Sequence, residues 1–123
     1  MKLEVGMYVR LVNDVENIVV INKIANVFES SILTENDGSI YQGVYTKENV
    51  IKASYNITDL IKSKDIILGR DGKIYQCWKI YKDYVFTYSK NKQGQTVTLV
   101  DYQIDKVLTK EQFEQMSYKV GDK

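Results

Sequence analysis

Between Gly72 and Ser89 the chain places six ring-bearing side chains, Tyr75, Trp78, Tyr81, Tyr84, Phe86 and Tyr88, with Lys79 and Lys82 among them. Rings and ammonium groups in this arrangement make contacts rather than bonds: aromatic faces stack or cover apolar surface, hydroxyls hydrogen-bond, and lysines attract anions. Bond-making chemistry is poorly supplied. The chain has no histidine, so the side chain most used to carry protons near neutral pH is missing and histidine-dependent triads are excluded. The carboxylates are dispersed beside turns and lysines, and no spacing singles out an acid–base pair. Cys77 is the single cysteine; it closes no internal disulfide, and without histidine the usual zinc sets cannot be assembled. No catalytic residue, cofactor or metal is therefore expected, and Cys77 reads as a small packed hydrophobe. The pairs Gly38/Gly43 and Gly69/Gly72 lack a phosphate-loop spacing and mark turns.

The elements that must carry these rings are strands. Short runs rich in Val, Ile, Thr, Tyr and Phe are broken by Asn36-Asp37-Gly38, Arg70-Asp71-Gly72 and Lys92-Gln93-Gly94, a strand-and-turn vocabulary. Strands are expected at Met7 to Val12, Ile18 to Ile21, Val27 to Leu33 and Ile40 to Tyr45, then at Asp65 to Gly69, Ile74 to Tyr81, Tyr84 to Ser89 and Thr96 to Val100. The two sets share an outline: each opens on a short strand, continues through hairpins and closes on an apolar pair, Val50-Ile51 or Val107-Leu108. The expected fold is mostly β, two small SH3-like β-barrel modules in tandem with a short C-terminal α-helix. Residues 1–56 form the first module; residues 57–123 form the second and the helix. A single larger β domain is the competing description. In the joint, Asn56 or Thr58 is placed to cap one helical turn. Thr109-Lys110-Glu111-Gln112 has capping-box form, which predicts a helix over Thr109 to Met116 that docks through Phe113 and Met116.

A two-residue turn at Lys82-Asp83 sets Tyr81 opposite Tyr84 and sorts the ribbon into two sides. One side carries Tyr75, Cys77, Lys79, Tyr81, Tyr84, Phe86 and Tyr88; the other carries Ile74, Gln76, Trp78, Ile80, Val85 and Thr87. Aliphatic residues with Trp78 suit an interior, and the tyrosine side suits a partner. The predicted partner-binding residues are Tyr75, Lys79, Tyr81, Lys82, Tyr84, Tyr88, Lys90 and Lys92. The alternative is structural: tyrosines are good strand formers, and here they pack against the first half or the terminal helix.

Charge localises any polyanion attraction. The net charge of the chain is +1, but residues 62–92 hold eight basic groups against three acids, a balance of +5, whereas residues 1–61 stand at −3. A positive module with exposed rings is what a single-stranded nucleic-acid binder offers; lysines that merely keep sheet edges soluble are the other explanation. No apolar stretch reaches the roughly 18 residues of a membrane helix, and Met1-Lys2-Leu3-Glu4 opens no signal-peptide run, so a cytoplasmic protein without a membrane partner is expected. Strand edges and a tyrosine face would also serve a homo-oligomer.

Three segments, "KLEVGMYVR" at Lys2 to Arg10, "IKASYNITDLI" at Ile51 to Ile61 and "LTKEQFEQMSYKVG" at Leu108 to Gly121, resemble small uncharacterised proteins encoded by phages and prophages of low-GC Gram-positive bacteria. They cover about a quarter of the chain and mark no chemistry. Such proteins often open the second half on a Gly-Asp turn; here Lys64 precedes Asp65, and a different turn is expected. The resemblance implies a viral accessory protein in the host bacterial cytoplasm, non-enzymatic, that binds and blocks a host macromolecule. The preferred partner is a host defence or nucleic-acid-processing protein, as for anti-CRISPR-type inhibitors, by steric blockade of a site such as a nucleic-acid channel. The alternatives are a nucleic-acid-binding SH3-like module and a phage structural or assembly component.

Overall fold

A computed structural model describes residues 2–13, 18–35 and 43–114. These residues are mostly β, arranged as two five-stranded antiparallel sheets. The first contains β1 (Tyr8–Asn13), β2 (Ile18–Val27), β3 (Ser31–Thr34), β4 (Val44–Thr46) and β5 (Val50–Ser54), in the order β4-β3-β2-β1-β5. The second contains β6 (Ile66–Gly69), β7 (Ile74–Tyr81), β8 (Tyr84–Lys90), β9 (Thr96–Leu99) and β10 (Ile104–Leu108), in the order β10-β6-β7-β8-β9. One predicted strand, Val27 to Leu33, is instead a hairpin: β2 runs on to Val27, the chain turns at Glu29-Ser30, and Phe28 N donates to Ser31 O at 2.9 Å. Polar Glu29 and Ser30 interrupt an otherwise apolar run, and the chain turns there. Of the predicted strand Ile40 to Tyr45, residues 40–42 lie outside the described ones.

Pairing for pairing, the second sheet repeats the first. Tyr8↔Lys23, Val9↔Asn22 and Arg10↔Ile21 correspond to Ile66↔Gln76, Ile67↔Tyr75 and Leu68↔Ile74. Asn26↔Leu33 and Val27↔Ile32 correspond to Lys79↔Phe86 and Ile80↔Val85. Each hairpin carries a one-residue β-bulge at the same place, Ala25 between Ile24 and Asn26, and Trp78 between Cys77 and Lys79. Each sheet also has a 3₁₀ turn before its last strand, Lys47–Asn49 in one and Asp101–Gln103 in the other.

The turn that leads into each sheet is repeated as well. Gly6 N donates to Ile24 O at 3.0 Å, Met7 N to Glu4 O at 3.2 Å and Ile24 N to Met7 O at 2.7 Å. The counterparts are Lys64 N to Cys77 O at 2.8 Å, Asp65 N to Lys62 O at 3.1 Å and Cys77 N to Asp65 O at 2.8 Å. The expectation of a different turn at Lys64 is thus corrected: the turn is the same, and Lys64 takes φ +76° where Gly6 takes φ +93°. A side chain in that region meets its own carbonyl neighbours, a cost that glycine escapes. Lys64→Gly is expected to raise stability by roughly 0.5–1 kcal/mol, net of the added freedom of the unfolded chain. A urea titration checks this; an unchanged or lower midpoint refutes it.

Each sheet has its own core, and one strand serves both. Val9, Leu11, Val20, Ile24, Ile32 and Tyr45 form the first core. The second gathers Ile67, Tyr75, Cys77, Val85, Leu99, Ile104 and Val107, with Ile57, Leu60 and Ile61 from the joint and Ile21 from β2. Because successive strand residues point to opposite faces, Val20 turns into the first core and Ile21 into the second. Arg10, its cross-strand neighbour, is 3% exposed beside it. Arg10 Nη1 donates to Asp65 Oδ2 at 2.8 Å and to Leu60 O at 2.9 Å, and Nη2 lies 3.4 Å from Glu111 Oε2. Asp65 is also held by backbone donors, Lys62 N at 2.8 Å and Lys110 N at 2.8 Å. In the joint, the Asn56 side chain accepts from Thr58 N, capping the 3₁₀ turn Ile57–Leu60.

The helical turn at residues 110–114 begins on the expected capping box: Gln112 N donates to Thr109 Oγ1 at 3.1 Å, and Thr109 N to Gln112 Oε1 at 3.0 Å. It docks by polar contacts, with Thr109 Oγ1 donating to Val19 O and Glu111 reaching Arg10. Phe113, expected to anchor it, is 45% exposed, and Met116 lies outside the described residues.

Candidate functional site

The β7–β8 turn forms as expected: Tyr81 pairs with Tyr84, and Lys82 adopts φ +55°, as the primed turns of two-residue hairpins require. What sorts the two sides differently from the expectation is the Trp78 bulge. Before it, Tyr75 and Cys77 point inward; after it, Ile80 does, while Lys79 and Tyr81 point outward. Ile80, Val85 and Thr87 line the interior side as expected, whereas Ile74, Gln76 and Trp78, expected beside them, are exposed.

Of the predicted partner-binding residues, Lys79, Tyr81, Lys82, Tyr84 and Tyr88 come together on the outer face of β7–β8. Tyr81 is 60% exposed, Tyr84 48% and Tyr88 53%. Trp78 joins them at 46%, and Phe86 lies half-buried between Tyr84 and Tyr88. Lysines are folded onto this surface: Lys79 Nζ is 4.9 Å from the Trp78 ring and 5.3 Å from that of Phe86, and Lys82 Nζ is 5.5 Å from that of Tyr81. Lys90 closes β8 on the same side, its Nζ 2.9 Å from Thr96 Oγ1. Lys92 stands beyond it, lining with Lys73 and Lys90 a hollow of about 660 Å³ at the strand end.

Tyr75 is a correction. It is 8% exposed and belongs to the core. At the matching places the first sheet sets the larger Leu11 diagonally across from Asn22, and the second sets Gly69 diagonally across from the large Tyr75. A Cβ on Gly69 would stand 2.6 Å from Asp71 Oδ1 and 3.1 Å from the Tyr75 ring, so the missing side chain leaves room for both members of the Asp71–Tyr75 pair. The Tyr75 hydroxyl donates to Asp71 Oδ2 at 2.7 Å; that bond raises the phenol's pKa above its ordinary value and lowers the carboxyl's.

Cys77 occupies the place of Ile24. Burial, with a smaller contribution from the Asp65 charge, pushes its thiol up to about 11, so it remains protonated and unreactive through neutral pH. A second cavity of about 260 Å³ lies between the sheets, lined by Tyr8, Lys23, Glu35, Arg70, Asp105 and Lys106. Charges of both signs meet there, with Arg70 Nη1 4.0 Å from Asp105 Oδ1, so it favours neither anion nor cation. Among the described residues no cluster of His, Cys, Asp or Glu is placed to hold a metal, and no helix is long and apolar enough to cross a membrane.

Trp78 and Phe86 are the face residues missing from the predicted set. Phe86 stands on the tyrosine side of the predicted ribbon, whereas Trp78 is turned outward by a bulge that the first sheet repeats at Ala25. Set against known proteins, the chain matches no family model, no curated protein and no solved structure.

Proposed function

We propose that the protein is a non-enzymatic binding protein that occupies a host macromolecule through the outer face of β7–β8, with a component of host defence as the target class that the phage-type resemblance favours. We read its architecture as two SH3-like modules in tandem, in support of which stand the strand order, last-first-second-third-fourth in each sheet, and the 3₁₀ turn before each last strand.

One observation carries the functional reading: the twin sheet does without these rings. The places held by Trp78, Lys79, Tyr81, Tyr84, Phe86 and Tyr88 are held in the first sheet by Ala25, Asn26, Phe28, Ser31, Leu33 and Glu35. The same backbone thus forms with one ring at these places instead of five, and strand formation alone does not account for the others. Large rings exposed together, with charges among them, are the usual anchors of an interface.

The test is capture from host lysate by the wild type and by Tyr81→Ala/Tyr84→Ala. The paired variant is expected to keep its urea midpoint within about 0.5 kcal/mol, since both rings are exposed, and to lose the partner. Equal capture by a folded variant removes this face from the function.

A further inference from the structure

We infer that the occupant of the β7–β8–β9 face is a single-stranded nucleic acid rather than a protein; this rests on the reading that the face is the binding surface. Strands β7, β8 and β9 contain no Asp or Glu, while Lys79 and Lys90 stand on the outer side and Lys82 stands at the hairpin tip. Asp83, the acid at the tip, accepts from Asn56 Nδ2 at 3.0 Å and offsets one of these three charges, which leaves the face net positive. A surface of this sign repels a basic channel and attracts a polyanion. Among polyanions, a duplex hides the faces of its bases, whereas a single strand presents them to be stacked upon.

The ring spacing suits such a strand. Tyr84, Phe86 and Tyr88 are successive outward residues of β8, about 7 Å apart by strand geometry, a step that neighbouring unstacked bases can span. Beside them the cross-strand pairs Tyr81↔Tyr84 and Lys79↔Phe86 put a second ring and a cation within reach of the same track. Lys90 and Lys92 continue the positive charge to the end of β8.

Trp78, the chain's single tryptophan, lies on this face, so its fluorescence reports occupancy directly. Titrating the full chain with a short oligothymidylate at low salt is expected to quench it, with log K falling against log salt at a slope of about −2 if three lysines each neutralise a phosphate. In Lys79→Gln/Lys82→Gln that slope is expected to shrink by about 1.4. Tyr84→Ala should weaken binding about tenfold or more. Trp78→Phe loses the signal, and anisotropy of a labelled oligonucleotide then reads the same complex. Absence of quenching and of anisotropy change at low salt overturns the inference, as does binding that the lysine and ring changes leave untouched. If the oligonucleotide fails while capture from lysate still depends on Tyr81 and Tyr84, the inference falls and the face remains a protein-binding surface. If capture is equally indifferent to those rings, the functional reading falls with it.

Discussion

Arg10→Ala is expected to lower the free energy of unfolding by about 3–5 kcal/mol, a large part of the total stability of an ordinary domain. The loss comes less from the bond removed than from the charge left behind. Asp65 is 0% exposed, and without the guanidinium it keeps its backbone donors but no counter-charge. Leu60 O loses a donor in the same step, and Glu111 loses the contact through which the helical turn reaches β1. Urea unfolding followed by Trp78 fluorescence measures the effect. The double variant Arg10→Met/Asp65→Asn is expected to be more stable than Arg10→Ala, because it removes the stranded charge and keeps the packing of the stem. A loss below about 1 kcal/mol for Arg10→Ala would mean that water reaches Asp65 and that the pair is ordinary surface electrostatics.

Ile21→Ala is expected to cost about 2–4 kcal/mol, from the transfer of the deleted methylenes and the cavity they leave. Its diagnostic value lies in where the effect is read. Ile21 belongs to the first sheet by hydrogen bonding and to the second by packing. The Trp78 transition, which reports the second sheet, should therefore move to lower urea together with the loss of overall strand signal in circular dichroism. Two separated transitions, with only the first shifted, would show that the sheets unfold independently and that the shared core does not couple them.

The features legible in the sequence are those fixed by neighbours along the chain. Apolar runs gave most strands their places, Lys82-Asp83 gave the hairpin its turn, Thr109 and Gln112 gave the helix its start, and the exposure of Tyr81, Tyr84 and Tyr88 followed from the turn. The features that escaped are set by residues far apart or by a single extra residue. The bulge at Trp78 reverses inside and outside over the base of the hairpin without altering composition, which is why Trp78 and Tyr75 exchanged the roles expected of them. Room for the Asp71–Tyr75 pair is left by Gly69 on the neighbouring strand, which strand periodicity does not register. Arg10 and Asp65 meet across 55 residues, and nothing local distinguishes Arg10 from a solvated cation on a strand. The exposure of the ring face is therefore legible along its outer half and not at its base, where the ladder is irregular.

The halves join through unlike surfaces: Arg10 and Ile21 of one against the interior and entry turn of the other. A union of two units through unlike surfaces uses each surface once and leaves its counterpart on the other unit unmatched. The corresponding pair, Leu68 and Ile74, is that counterpart, and Ile74 is 71% exposed there. The molecule thus leaves uncovered at Ile74 the counterpart of the Ile21 side chain that fastens its first half.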